Sequence, residues 1–155
     1  MFDRTFLPDV NFEFVVVADT HYMLDSGNHA VEFESRRQQT ARAEHALRQI
    51  ARLNPEFVVH LGDLVQEFPE TAGFSQAMTE ALQQLDQCGV APHHVAGNHD
   101  VGDKPDPTMP TAWVTEESLQ GYHARFGQSW YSWDRESSHF VVINSQILNT
   151  ALPEA

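Results

Sequence analysis

Apolar residues along this chain follow two alternating rhythms. Short continuous runs, Asn11 to Ala18 (NFEFVVVA), Glu56 to Leu61 (EFVVHL) and Ala91 to Ala96, predict three buried β-strands. Between them the apolar spacing becomes helical. Ala43, Ala46, Leu47, Ile50 and Leu53 form a stripe that predicts a helix from about Phe33 to Leu53, with Pro55 just beyond its end. Phe74, Ala77, Met78, Ala81, Leu82, Leu85 and Cys88 fall on one face of a second helix, which Gly89 closes. Thr115 can cap a third, with Glu116 and Glu117 in its first turn and Leu119, Tyr122, His123 and Phe126 as its buried face. Trp130 to Asp134 and His139 to Ser145 then predict an antiparallel hairpin. Residues 22–32 and 101–110 read as loops, and Gln146 to Ala155 offers no closing element. Strands alternating with helices make this an α/β chain, with a largely parallel sheet and ligands expected beyond the carboxyl ends of its strands.

Each of the three strands ends in residues that can bind metal. The first runs into Asp19-Thr20-His21, the second into Gly62-Asp63, the third into Gly97-Asn98-His99-Asp100. A carboxylate and an imidazole two residues apart suit a divalent ion such as Mn, Fe or Zn. Taken singly, each cluster also has a plain reading: a loop hydrogen bond, a Gly-Asp turn, or a tight turn in which Asn98 and Asp100 satisfy local backbone groups. Their order changes the balance. Asp19 and Asp63 lie 44 positions apart and Asp63 and Asn98 35, and each gap holds one helix. A parallel sheet would carry all three clusters to one edge, an arrangement independent turns have no reason to share.

In this order the motifs resemble those of the calcineurin-like metallophosphoesterase superfamily. Phe57 to Pro69 (FVVHLGDLVQEFP), Val95 to Pro105 (VAGNHDVGDKP) and Phe140 to Gln146 (FVVINSQ) resemble its branch of calcineurin-like phosphoesterase domain-containing proteins. The resemblance covers nearly all of the chain from about residue 11 and implies an αββα sandwich. Of that sandwich these residues would hold the first, mostly parallel sheet with its flanking helices, plus a C-terminal hairpin. It also implies roles. Asp19 and His21 would bind a first metal ion, Asp63 would bridge two, and Asn98 would bind the second. His99 would serve as the acid at the leaving oxygen, with Asp100 orienting it. Two divalent cations ~3.5–4 Å apart can generate a hydroxide nucleophile and clamp an in-line displacement at phosphorus. The implied reaction is direct hydrolysis of a phosphate ester.

The family pattern continues with a lone His and a Gly-His-x-His. After Asp100 this chain has only His123 and His139, and no Gly-His or His-x-His. Two expectations follow. In the first, residues 1–155 are the N-terminal portion of a single metallophosphoesterase domain, weakly active or inactive alone. In the second, the chain is a non-catalytic interaction module on a degenerate phosphoesterase fold. Charge narrows the partners. With 22 acids against 9 Lys and Arg the net charge is -13, which argues against a nucleic-acid binder and repels phosphate unless bound cations reverse the sign locally. No apolar run reaches the ~20 residues of a membrane span, so no membrane partner is expected. Cys88, the one cysteine, belongs to the core. A cytoplasmic location is expected, and nothing in the pattern sets an oligomeric state. Of the other histidines, His60 should support the ligands by a hydrogen bond or simply pack. One of His93 and His94 should face solvent, and His29 and His45 should lie on a loop and a helix surface.

Overall fold

The computed structural model describes residues 10–24, 34–109 and 111–155. Three strands, β1 (Phe14–Val17), β2 (Phe57–His60) and β3 (Pro92–His94), form a parallel sheet in the order β1-β2-β3. Helix α1 (Gln39–Leu53) links the first pair and α2 (Phe74–Leu85) the second. Short helix α3 (Asn98–Val101) follows β3, then α4 (Glu116–Phe126) and the antiparallel hairpin β4 (Tyr131–Arg135) and β5 (Ser138–Val142). This is the α/β arrangement expected, with the parallel sheet, flanking helices and hairpin all present. Residues 25–32 of the anticipated loop, His29 among them, and Phe33 at the anticipated helix start lie outside the described residues. Glu34–Gln38 form a 3-10 turn that leads into α1.

Strand register divides the side chains between two layers. Phe14 pairs with Phe57 and Val15 with Val58, so alternate residues share a face. Val15, Val17 and Val58 meet Leu47 and Ile50 of α1 and Ala77, Met78, Ala81 and Leu85 of α2 in the main core, with Cys88 buried among them as expected. The opposite face carries rings. Phe14 stacks on Phe57 at 4.9 Å, Phe57 meets Phe140 edge-on at 5.3 Å, and Trp133 stacks on both Phe140 and His93. The hairpin is thus bonded to the sheet by aromatic contacts. A smaller core of Ala96, Val101, Val114, Leu119 and Tyr122 holds α3 against α4, and Ile147 enters it, so the C-terminal tail packs although it forms no regular element.

Three expectations change. β1 is not buried on both faces: Phe14 is 40% and Val16 51% exposed, because β1 is an edge strand and the hairpin covers only part of its outer face. Neither His93 nor His94 is solvent-facing, since one lies flat on Trp133 and the other packs at 4.2 Å on Phe126. Third, His123 is only half-buried on α4, 3.4 Å from Glu154. Among the described residues no helix is long and apolar enough to cross a membrane.

His60 and His94 end neighbouring strands as direct register partners. Burial pushes the His60 pKa down to about 3 and that of His94 down to about 4. Both are neutral in the folded state at pH values where the unfolded chain binds protons. Their contribution to stability is therefore present above about 6.5 and lost as pH falls toward 4. Urea denaturation of the metal-free protein should show a loss between pH 7 and pH 5 that is smaller in His94→Phe, which keeps the ring against Phe126, by roughly 1–2 kcal/mol. Equal losses in the two proteins would mean that His94 does not titrate with folding.

Candidate metal centre

The sheet's hydrogen bonds continue past its strands into the motif loops. Asp19 N–H donates to the Gly62 carbonyl at 3.1 Å, His21 N–H to that of Asp63 at 3.0 Å and Tyr22 N–H to that of Leu64 at 2.8 Å. The loop after β1 is thereby fixed to the loop after β2. His60 braces the same junction from below. Its Nδ1 accepts from Gly62 N–H (3.2 Å), which leaves the ring proton on Nε2 facing Thr20 Oγ1 at 3.0 Å. The open choice between hydrogen-bond support and simple packing resolves as both: His60 is fully buried and bonded to the first two motif loops.

The third loop is fastened by Asp100. Its Oδ2 accepts from Asp63 N–H and from Gly97 N–H, each at 2.8 Å, and its Oδ1 accepts from Leu64 N–H at 3.2 Å. Burial raises the Asp100 pKa to about 6, while these amides pull it down. The glycines on either side let the loops meet. A Cβ on Gly62, whose φ is +98°, would collide with the Gly97 backbone, and one on Gly97 with Asp63. His99 N–H, in the first turn of α3, donates to Asp63 Oδ1 at 3.0 Å.

These constraints gather the imidazoles and carboxylates. His21 Nε2 lies 3.6 Å from Asp19 Oδ1 and 3.9 Å from Asp63 Oδ2. Ligand atoms of His21, Asp63 and His99 all lie within 4.8 Å of one another, and among the described residues no other such group occurs. His21 Nδ1 is buried without a hydrogen-bond partner. Asp19, His21 and Asp63 all hold positive φ, at 55°, 42° and 56°. Each such non-glycine residue costs on the order of 1–3 kcal/mol, and such strain concentrates at functional sites. Clustered carboxylates and imidazoles, an orphaned ring nitrogen and local strain all suit a divalent cation.

The expected site residues are not all placed alike. Asp19, His21, Asp63 and His99 come together, with the Asp19 side chain 68% exposed at the rim. Asn98 instead lines an adjoining hollow of about 480 Å³ with Asp103, Lys104 and Gln146. The Asp100 carboxylate meets backbone amides, not the His99 ring. That ring is oriented by the Gln66 carbonyl, 2.9 Å from Nδ1, and by Phe68 stacked on it at 3.9 Å. Because a carbonyl only accepts, Nδ1 carries the proton and Nε2 is the open position. Burial lowers the His99 pKa, and the Asp63 carboxylate opposes that. Gln39 of α1 reaches the His21 carbonyl (3.4 Å) and Gln66 Oε1 (3.3 Å). Gln39, Gln66 and Phe68 escaped the sequence reading because an isolated glutamine or phenylalanine carries no ligand signature. His123 and His139 pair with Glu154 and Asp134 instead of joining the cluster.

The cluster opens into a polar cleft of about 440 Å³ between the motif loops and the start of α1. A larger hollow, about 540 Å³ around Phe74, Trp113 and Arg125, includes none of the clustered ligands.

Known proteins resemble this chain in sequence over most of its length. The family model for calcineurin-like phosphoesterases matches residues 12–150. The mouse serine/threonine-protein phosphatase CPPED1 is 32% identical over 150 residues, covering 90% of this chain and 45% of its own length. The bovine protein of the same name is 31% identical over 152 residues, covering 90% and 44%. A crystal structure of a dimetal phosphatase from Danio rerio superposes with a TM-score of 0.46 at 27% identity, over 59% of this chain and 30% of that one. The chain spans about half the length of the curated relatives it matches. It belongs to the calcineurin-like phosphoesterase family.

Proposed function

We propose that this chain supplies the first half of a two-cation site for hydrolysis of phosphate esters, the remaining ligands coming from outside residues 1–155. The observation that carries this reading is the convergence of His21, Asp63 and His99 ligand atoms within 4.8 Å at the carboxyl edge of the sheet. The matched relatives named as serine/threonine-protein phosphatases support a phosphoester substrate. Asp19 and His21 would hold one cation, Asp63 would bridge to a second, and Asn98 would complete the second position. The mixed oxygen and imidazole donors suit Mn, Fe or Zn. Divalent cations there would supply Lewis acidity toward phosphoryl oxygens and lower the pKa of an attacking water.

The chain's own residues do the positioning. Asp100 holds the Asp63 and Gly97 loops at one spacing, so the Asp63 carboxylate and the His99 backbone stay in register. Gln66 keeps the His99 proton on Nδ1, so a second proton reaches Nε2 only in the imidazolium form. The Asp63 carboxylate favours that form and burial opposes it. Imidazolium at that point can hand its Nε2 proton to a leaving oxygen.

The decisive experiment uses the protein extended by its native downstream sequence and loaded with Mn. It should hydrolyse a generic aryl phosphate. Asp63→Asn should abolish both turnover and high-affinity Mn binding. His99→Ala should lower kcat by roughly 10²–10⁴-fold, the range for losing a general acid. Full activity in either variant would remove the assignment. Absence of both metal binding and turnover in the unsubstituted protein would favour the non-catalytic module.

Asp100→Asn separates fastening from chemistry. An asparagine can accept from Asp63 and Gly97, but its amide then faces the Leu64 N–H, a donor against a donor. Leaving that amide unsatisfied costs about 1–3 kcal/mol, a fall in Tm of several degrees. Thermal melts should show this fall without added metal, whereas His99→Ala should melt close to the parent. An unchanged melting temperature in Asp100→Asn would show that the three amide bonds do not hold the loops.

A further inference from the structure

The larger hollow, about 540 Å³, adjoins the motif loops without including their ligands: Pro69 follows Phe68 into it, and Val101 follows Asp100. Trp113 stands 49% exposed on its rim, yet the backbone beneath that ring is firmly held. Asp103 N–H donates to the Ala112 carbonyl at 3.0 Å, and Val114 N–H to the Asp103 carbonyl at 2.7 Å. Ala112 N–H donates to Glu70 Oε1 at 3.1 Å. A large ring presented to solvent on a fixed backbone is a ready recognition anchor. Helix α4 forms the long wall. Glu117, Gly121 and Arg125 follow at intervals of four, so they lie along one side of it. Glu116 is bonded to Gln120, whereas Glu117 has no partner among the described residues. At the other end Arg125 lies over the Phe74 ring and donates to the Gly121 carbonyl. Gly121 sits mid-helix, where glycine costs stability relative to alanine. A Cβ there would meet only the end of Arg125, at an ordinary 3.5 Å, so packing within the chain does not require glycine. What glycine does is leave the middle of the wall bare, where another backbone can come close.

We infer that this hollow docks an extended segment of a partner protein carrying a basic side chain and, about three or four residues away, an acidic one. The charge pattern of the walls selects that occupant. A lysine or arginine at one end lies against the Trp113 ring and pairs with Glu117, joining a cation–π contact to a charge-assisted hydrogen bond. An acidic side chain at the other end meets Arg125, whose guanidinium keeps donors beyond the one given to Gly121. Glu117 and Arg125 are eight positions apart on α4, ~12 Å along its axis. Extended backbone advances ~3.3 Å per residue, which sets the spacing of the two charges. The bare stretch at Gly121 lies between them. A net charge of -13 draws basic segments toward the protein, and the hollow is where that attraction becomes specific. The site stands independently of the phosphoester reading, since none of the clustered metal ligands lines it.

The test is NMR titration of the isotope-labelled full chain, without added metal, with short peptides blocked at both ends. The first carries lysine and glutamate separated by Gly-Ser-Gly and is made in both orders. A second replaces the glutamate by glutamine, and a third also replaces the lysine by norleucine. The first peptide should shift the Trp113 indole resonance in at least one order, and the third should bind about five-fold more weakly or worse. E117Q should weaken binding of the first peptide by about five-fold. E116Q makes the same change of net charge outside the hollow and should weaken it by less than about two-fold. R125Q should abolish the preference for glutamate over glutamine, and W113F, which keeps an aromatic face, should bind more tightly than W113A. Equal losses in E117Q and E116Q would mean that the peptide answers only to general acidity, and would overturn the site. So would equal affinity for the third peptide, or titration of either order without a shift at Trp113.

Discussion

The geometry of the site depends on one buried carboxylate. Asp100 accepts backbone N–H groups from two segments remote in sequence, the Asp63–Leu64 loop and Gly97 of its own loop. Without that acceptor these buried amides would be left unsatisfied, a costly arrangement. The same contact forces the loops so close that glycine is required at 62 and 97. It also starts α3 where the His99 amide can meet Asp63. One interaction therefore accounts for two glycines, a short helix and the placement of the Asp63 carboxylate. Asp100 holds the site together without touching the His99 ring.

On that frame, the candidate ligands Asp19, His21 and Asp63 hold unfavourable backbone conformations. Asp19, His21 and Asp63 occupy left-handed backbone geometry that an aspartate tolerates better than a histidine. Extended sheet bonds from Gly62, Asp63 and Leu64 hold the first loop there regardless of what the side chains gain. Backbone bonds, not side-chain contacts, thus fix the positions from which His21 and its neighbouring carboxylates would meet a cation. The unpaired His21 Nδ1 and the buried, neutral His60 beneath it belong to the same design, in which polar atoms are spent on orienting loops.

How much of this the sequence reveals follows from which forces are local. Strand and helix positions are legible because Val58, Leu47 and Met78 report their own burial through periodicity. The strand-to-motif order is legible because parallel topology converts spacing along the chain into proximity at one edge. Edge position is not: VVV in β1 reads as buried, yet what covers Val16 depends on neighbours that periodicity does not encode. Nor is the division of labour between His99 and Asp100 legible, since adjacent residues in one motif can point to different partners. Only geometry separates a carboxylate bonded to amides from one bonded to a ring. The single-turn helix at Asn98 was hidden for a related reason, as four residues carry no period.

The acidic character of the chain then takes on a different meaning at the cleft. A net charge of -13 opposes any phosphate at long range, but long-range fields between exposed charges are screened within about 8–10 Å in physiological salt. What an incoming anion meets at contact is set by the few groups lining the cleft. There His21, Asp63 and His99 share one polar cleft with Gln39, Gln66 and Arg42, while Asp19 stays at its exposed rim. The carboxyl edge of the parallel sheet, where His21, Asp63 and His99 converge, is therefore the place where a bound cation would change the local charge most directly.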